Sequence, residues 1–453
     1  MLISNNSNYV NTVSKSIFCC LCSLLFILPL LLGGYRPWAI TSIGILICAV
    51  FVLHILARAV QYRNDPPSLY PPSYCWPLFL ILAVVIVTLC IQLIPSTSFT
   101  SIDTNKTKLT LLKTIYITLF CWLITRYCTT PTRLKFLIYT LLVSAVFQAI
   151  YAAYLNFSPQ LSSPFFDYPY TQRAIGSFSY ANFLANYLAL CLSLGIGLLV
   201  SELVINPVQK SPIQQLRALT KIMLSNKVIL RLALIIMIIG LILTRSRMGN
   251  SAFFIALSAV SIYALFFYRR KPKHLRTLII SFFIIDLIII GALFGVEKVT
   301  ERLSQTSLSS ETRDEVIRDS IPLILDKPWL GSGGGSFYTA FPAYQPQPYS
   351  GYYDNAHNDY IQFAVELGIP TTMLLGALTL FCLYNCIVVM HTRKTPLYQG
   401  LAFGCAIAII HMLLHSSVDY SLQAGANTLT FMLILTLSFI IKNIPTTTTQ
   451  RNV

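Results

Sequence analysis

In the stretch DNAHNDYIQFAVELGIP, residues 354–370, the first six residues set one imidazole, two amides and two carboxylates against the start of an apolar helical pattern. Imidazole is the side chain best matched to accepting a proton near neutral pH. Placed at or just before a helix N-terminus, His357 is expected to stay neutral, because the positive end of the helix dipole disfavours imidazolium. Asn355 can cap that helix, and Asp354 or Asp359 can orient the ring, with Asn358 beside it. The plainer alternative is an interface histidine that caps a membrane helix.

Four arginines are candidates to meet phosphate. Arg173 lies in YTQRAIGSFSYANFLANYLAL, Arg245 and Arg247 in LTRSRMGNS, and Arg313 in SSETRDEVIRDS. Singly, each would meet lipid phosphate at a membrane surface. Converging on a loop cavity, they would clamp a diphosphate, since the planar guanidinium matches phosphate oxygens bidentately. Residues 309–327 read as a short helix with Thr312 and Glu315 at capping-box spacing and an apolar stripe of Ile317, Ile321 and Ile324. Arg313, four residues before Ile317, shares the face of that stripe.

The segment WLGSGGGSFYTAFPAYQPQPYSGYYDNAH follows. Its glycines can bring backbone N–H groups near a phosphate, although no Gly-Lys-Ser/Thr completes a nucleotide loop. Its aromatics, Phe337, Tyr338, Phe341, Tyr344, Tyr349, Tyr352 and Tyr353, suit a headgroup belt or, as a cluster, the faces of sugars. Further on, HSSVDYSLQ brings His415 and Asp419 to the same face, as a His-carboxylate pair or as two helix caps. Neither an Asp-x-Asp nor a His/carboxylate set with metal spacing occurs, so no metal and no cofactor is expected.

The elements that must carry these residues are membrane helices. The 453 residues have a mean hydropathy of +0.67, with 55% hydrophobic and 11% charged residues. That mix describes an integral membrane protein. Apolar runs long enough to cross roughly 30 Å of hydrocarbon, about 20 residues each, occur at 17–34, 38–57, 76–95, 108–125, 134–154, 180–203, 228–244, 250–268, 276–295, 359–390, 398–415 and 424–442. The expected fold is therefore all-α, a single polytopic membrane domain over 1–453 with about twelve spans. A large outer loop at 296–358, between spans nine and ten, is expected to contain short helices, and 443–453 to form a short cytoplasmic tail.

Charge gives the orientation. With the N-terminus inside, 20 of the 32 Lys and Arg residues fall in inner segments, the bias expected of cytoplasmic loops. The net charge of +16 is then mostly topology, and nucleic acid is not an expected partner. Ten of the 16 acidic residues lie between Glu297 and Glu366, on the outer face. Within the spans Asp286 is the clear acid, a functional candidate by its position, whereas His54 and His411 read as packing or interface residues. The twelve cysteines sit mostly in or beside spans and suggest no disulfide framework.

These residues resemble the bacterial O-antigen ligase and polymerase superfamily. His357-Asn358, nine residues, Gly368, two residues and Thr371 satisfy that family's loose signature, and SRMG, KPWLGSGGGSF and GGYRPWA are similar to it in place and composition. The resemblance implies transfer of a glycan from an undecaprenyl-diphosphate donor on the periplasmic face of the inner membrane. It gives His357 the acceptor proton, and gives Arg247 and Arg313, with Arg173 and Arg245 after them, the diphosphate. The expected acceptor is lipid A-core foremost. A polymerase acting on another lipid-linked glycan, or a protein O-oligosaccharyltransferase, would share the chemistry. A lipid-linked sugar flippase would need a charged path through the membrane, which the spans lack apart from Asp286. A non-catalytic envelope scaffold would leave His357 dispensable. The transfer is expected to invert configuration without a metal.

Overall fold

The computed structural model describes residues 2–61, 71–95, 98–158, 173–202, 226–267, 280, 313–346 and 353–445. The described elements are all helical: α1 (Leu2–Ile27), α2 (Pro37–Gln61), α3 (Trp76–Gln92), α4 (Thr104–Tyr127), α5 (Pro131–Phe157), α6 (Ala181–Ser201), α7 (Asn226–Leu243), α8 (Arg247–Phe267), α9 (Arg313–Asp326), α10 (Phe337–Ala340), α11 (Asp359–Thr392), α12 (Pro396–His415) and α13 (Gly425–Asn443). Ten are long and apolar enough to cross a membrane, and Val228–Leu243 is a shorter apolar helix. The expected ninth span, with Asp286, lies outside the described residues, as does most of the tail.

At the centre α6 and α12 pack along their lengths. Small residues allow this close approach. A methyl added to Gly197 would come within 2.4 Å of the Gly400 carbonyl oxygen, and one on Gly404 within 2.5 Å of that of Ser193. Between membrane helices, where lipid is as apolar as the partner, such backbone contact is a main source of association. Helices α5, α7 and α8 lie to one side of this pair, and α3, α4, α11 and α13 to the other. One apolar core runs from Ile17 to Ile444. Large apolar side chains such as Leu80, Val143, Phe266 and Met373 remain exposed on the outward helix faces, as lipid-facing surfaces do.

Helix α11 runs for 34 residues with a break at Gly368, whose φ is 80° and ψ 165°. That backbone suits glycine. A Cβ there would lie 2.3 Å from the Trp329 carbonyl oxygen, so the same position also demands the absence of a side chain. The first nine residues of α11 form a separate helical segment on the membrane helix, and α9 and α10 pack against it. Their small core joins Val316, Leu323, Phe337, Phe341, Ala356 and Val365.

Two expectations for this region are corrected. The buried face of α9 runs through Val316, Ser320 and Leu323, while Ile321 of the expected stripe is 46% exposed. The stripe is offset because the helix packs against α11 and α10 rather than onto a membrane surface. Phe337 and Phe341 are buried and stacked on each other, 5.0 Å between centroids, and so do not offer faces to sugar. Tyr338 is exposed, Tyr344 donates to Asp326 Oδ2 at 2.7 Å, and Tyr349 and Tyr352 lie outside the described residues.

Candidate active site

His357 sits two residues before the first residue of α11 with φ +51°, a left-handed conformation uncommon for a side-chain-bearing residue. The next residue closes the helix end. Asn358, not Asn355, is the N-cap, its Oδ1 accepting from the backbone N–H of Tyr360 and Ile361 at 3.0 and 3.2 Å. Its Nδ2 donates to the Ser417 carbonyl at 2.8 Å. Asn355 instead donates to the Tyr35 hydroxyl at 3.2 Å.

Aromatic rings surround the imidazole. Tyr420 meets it at 88° with centroids 4.6 Å apart, and Tyr353 meets it at 88° and 5.9 Å. Tyr420 in turn packs against Phe183 and Tyr180, and both of these pack against Tyr35. Burial and the neighbouring Tyr180 phenol push the Tyr35 hydroxyl up to about 12. Burial raises that of Tyr420 further. Both phenols are therefore neutral at any physiological pH. Sequence reading missed Tyr35, Tyr180, Phe183 and Tyr420. Their segments, GGYRPWA, YTQRAIGSFSYANFLANYLAL and HSSVDYSLQ, were visible, but nothing in them shows that they meet. The turn that presents Tyr35 depends on Gly33, at φ +65°, where an added Cβ would lie 2.3 Å from the Phe178 ring.

Beneath His357 the floor is polar and buried. The Asp359 N–H lies 2.9 Å from the Ser416 carbonyl and 3.1 Å from that of Asp419. Its carboxylate does not orient the imidazole: Oδ2 accepts from Ser416 Oγ at 3.0 Å and from the Leu422 N–H at 3.3 Å. Asp354 is exposed. His415 and Asp419 do form a pair, Nε2 to Oδ2 at 4.0 Å. They are buried rather than on the expected surface, because the 415–423 loop folds inward under α11.

A second network fixes the loop from the other side. The Ala356 N–H donates to Gln362 Oε1 at 2.7 Å, Gln362 Nε2 donates to Glu366 Oε1 at 2.5 Å, and Glu366 Oε2 accepts from the Gly335 N–H at 2.9 Å. The glycine-rich turn is consumed by such bonds. Gly331, Ser332, Gly333 and Gly334 direct their N–H groups to Lys327, Val365, Glu366 and Gln92. It is a structural knot between α3, α4 and α11, and the expected phosphate cradle is corrected accordingly. Gln362 and Glu366 were also missed; their spacing, i and i+4 on one helix, was the available signal.

Three of the four arginines, Arg173, Arg245 and Arg247, gather at one turn. Arg173 donates through Nε to the Thr244 carbonyl at 2.9 Å and through a terminal nitrogen to Asn182 Oδ1 at 2.5 Å. Arg245 and Arg247 follow directly and are exposed, and Arg245 holds φ +50°. Arg313 opens α9, and its side chain lies outside the described residues. The first turn of α6 joins the two halves of the site: Asn182 holds Arg173, while Tyr180 and Phe183 hold Tyr420 and thereby His357.

Residues 232–376, which include the arginine turn, the glycine-rich knot, His357 and Gly368, match the model of the O-antigen ligase family. Over that segment the chain is similar to the O-antigen ligase family. In this O-antigen ligase-like chain the matched segment ends just beyond the break in α11, so the signature histidine and glycine lie inside it. No curated protein matches the chain. The ten long apolar helices are those of a multi-pass membrane protein, and its matched segment is similar to the O-antigen ligase family.

Proposed function

We propose that this protein transfers a glycan from an undecaprenyl-diphosphate donor to an acceptor hydroxyl at the periplasmic face of the bacterial inner membrane, with lipid A-core as the acceptor. One observation carries the reading: His357, ringed by Tyr420 and Tyr353, and the arginine turn at 244–247 flank the same first turn of α6.

The acceptor oxygen attacks the anomeric carbon of the donor sugar as the bond from that carbon to the diphosphate oxygen breaks. His357 takes the acceptor proton, and the electron pair leaves on the polyprenyl diphosphate. Arg247, Arg245 and Arg313 oppose the charge building there. Arg173 holds their turn. A single displacement inverts the anomeric configuration and requires no metal. A polymerase would run the same step with a lipid-linked glycan as acceptor.

The test is transfer of a polyprenyl-diphosphate glycan to lipid A-core by the purified protein in detergent, wild type against His357→Ala. Loss of transfer by a folded variant is expected, on the order of 100-fold or more for a general base. Undiminished transfer by the variant would remove His357 from the mechanism, and growth of the lipid-linked glycan in place of ligation would assign a polymerase. Activity that disappears on chelation and returns with a divalent cation would overturn the metal-free step.

A further inference from the structure

We propose that a groove beside the candidate site binds a phospholipid, its acyl chain between α4 and α11 and its head, one phosphate with neighbouring hydroxyls, at Lys113 and Asp359. The groove is a cavity of about 190 Å³ between α3, α4, α11, α12 and α13. Its walls are apolar, with Leu82, Val85, Leu375, Phe431 and Leu435 among them. The polar residues Lys113, Asp359 and Ser416 also line it.

Gly376 is the first sign of an occupant. It lies inside α11, where glycine costs about 1 kcal/mol relative to alanine, and it lines this groove. No neighbour requires it: a Cβ there would meet nothing within 4 Å. The missing side chain keeps the groove open in the part of α11 that crosses the membrane, where the available filling is hydrocarbon.

Asp359 is the second. It is 1% exposed. Oδ2 is bonded to Ser416 and Leu422, whereas Oδ1 has no hydrogen-bond partner among the described residues. A buried oxygen left unpaired is costly, and a hydroxyl from a ligand would satisfy it. Lys113 Nζ donates to the Gln423 carbonyl at 3.3 Å, one of the three donors an ammonium carries. Both Glu366 oxygens are already bonded to Gln362 and Gly335.

Lys113 is the basic residue that lines the groove, so a phosphodiester with a single negative charge suits it better than a diphosphate, and a hydroxyl beside that phosphate reaches the open Asp359 Oδ1. The site is also separate from the arginine turn. Helix α12 stands between them: His411 reaches across to Asn186 on α6 and Phe253 on α8, whereas Met412, Leu413 and Ser416 line the groove. The proposal goes beyond the transfer reaction and does not depend on it.

The experiment places the purified full chain in phosphatidylcholine vesicles containing phosphatidylglycerol with a photoactivatable diazirine in its acyl chain, then maps the labelled peptides. Labelling at 110–117 and 372–379 is expected, competed by unlabelled phosphatidylglycerol and not by added phosphatidylcholine. Gly376→Leu is expected to reduce it about tenfold, equivalent to about 1.4 kcal/mol, and Gly376→Ala by less. Both substitutions face open space and favour helix, and unchanged melting temperatures check the fold. Asp359→Asn and Lys113→Met are expected to abolish the preference for phosphatidylglycerol. Labelling of Gly376→Leu equal to wild type would overturn the proposal. So would stronger competition by polyprenyl diphosphate than by phosphatidylglycerol, which would assign the groove to the donor chain.

Discussion

The rings of His357 and Tyr420 meet at a right angle, 88° between planes and 4.6 Å between centroids. The contact fixes the imidazole plane without using a hydrogen bond from the phenol. Such a contact supplies about 0.5–1.5 kcal/mol beyond burial. Tyr420→Phe, which keeps the ring, should retain most of the transfer rate. Tyr420→Leu should lower kcat about tenfold with KM little changed, since the ring orients the base and binds nothing. Steady-state kinetics of the two variants check this.

Gln362 joins the His357 loop to Glu366 and, through it, to the glycine-rich knot. Gln362→Ala leaves the Ala356 N–H and a Glu366 oxygen without this partner, at about 1–3 kcal/mol for each buried group. A lower melting temperature and a lower kcat should appear together. If kcat alone fell, the relay would not be holding the fold.

Gly368 combines a φ of 80° with contact against Trp329. Gly368→Ala should destabilise the protein by on the order of 2 kcal/mol or more, from strain and overpacking together. Denaturant titration in detergent measures it. A stability equal to wild type would mean that the break in α11 can move to another residue.

Arg173 and Arg247 should respond differently to loss. Arg173 ties its loop to α6 and to the end of α7, so Arg173→Ala should lower both the melting temperature and activity. Arg247 is exposed at the start of α8. Arg247→Ala should therefore raise the KM for the diphosphate donor, several-fold at low salt and less at high salt, with the melting temperature unchanged.

Tyr35 offers a test by pH. Its hydroxyl is raised to about 12 by burial, against about 10 in an unfolded chain. Below pH 10 both states hold the proton and the contribution to stability is constant. Between 10 and 12 the unfolded chain loses it first, so stability falls as pH rises. Tyr35→Phe should flatten that part of the curve of melting temperature against pH; an unchanged slope would place the phenol in water.

By itself, the sequence determined the helices and the chemistry available to them. Span positions follow from apolar length, because a bilayer demands about 20 residues with internally satisfied backbone, and eleven of the twelve expected spans coincide with described apolar helices. The signature from His357 to Thr371 was legible as a family resemblance, whereas the cap at Asn358 and the break at Gly368 were not read from it. Which residues assemble around His357 was decided only in three dimensions. Tyr35, Phe183 and Tyr420 come from three distant segments, and no periodicity relates them. The same holds for the buried His415–Asp419 pair, for the face of α9, and for the knot whose N–H groups already have partners. Periodicity shows that a helix has an apolar side; only packing against α10 and α11 decides which neighbours cover it, and therefore where the polar groups end.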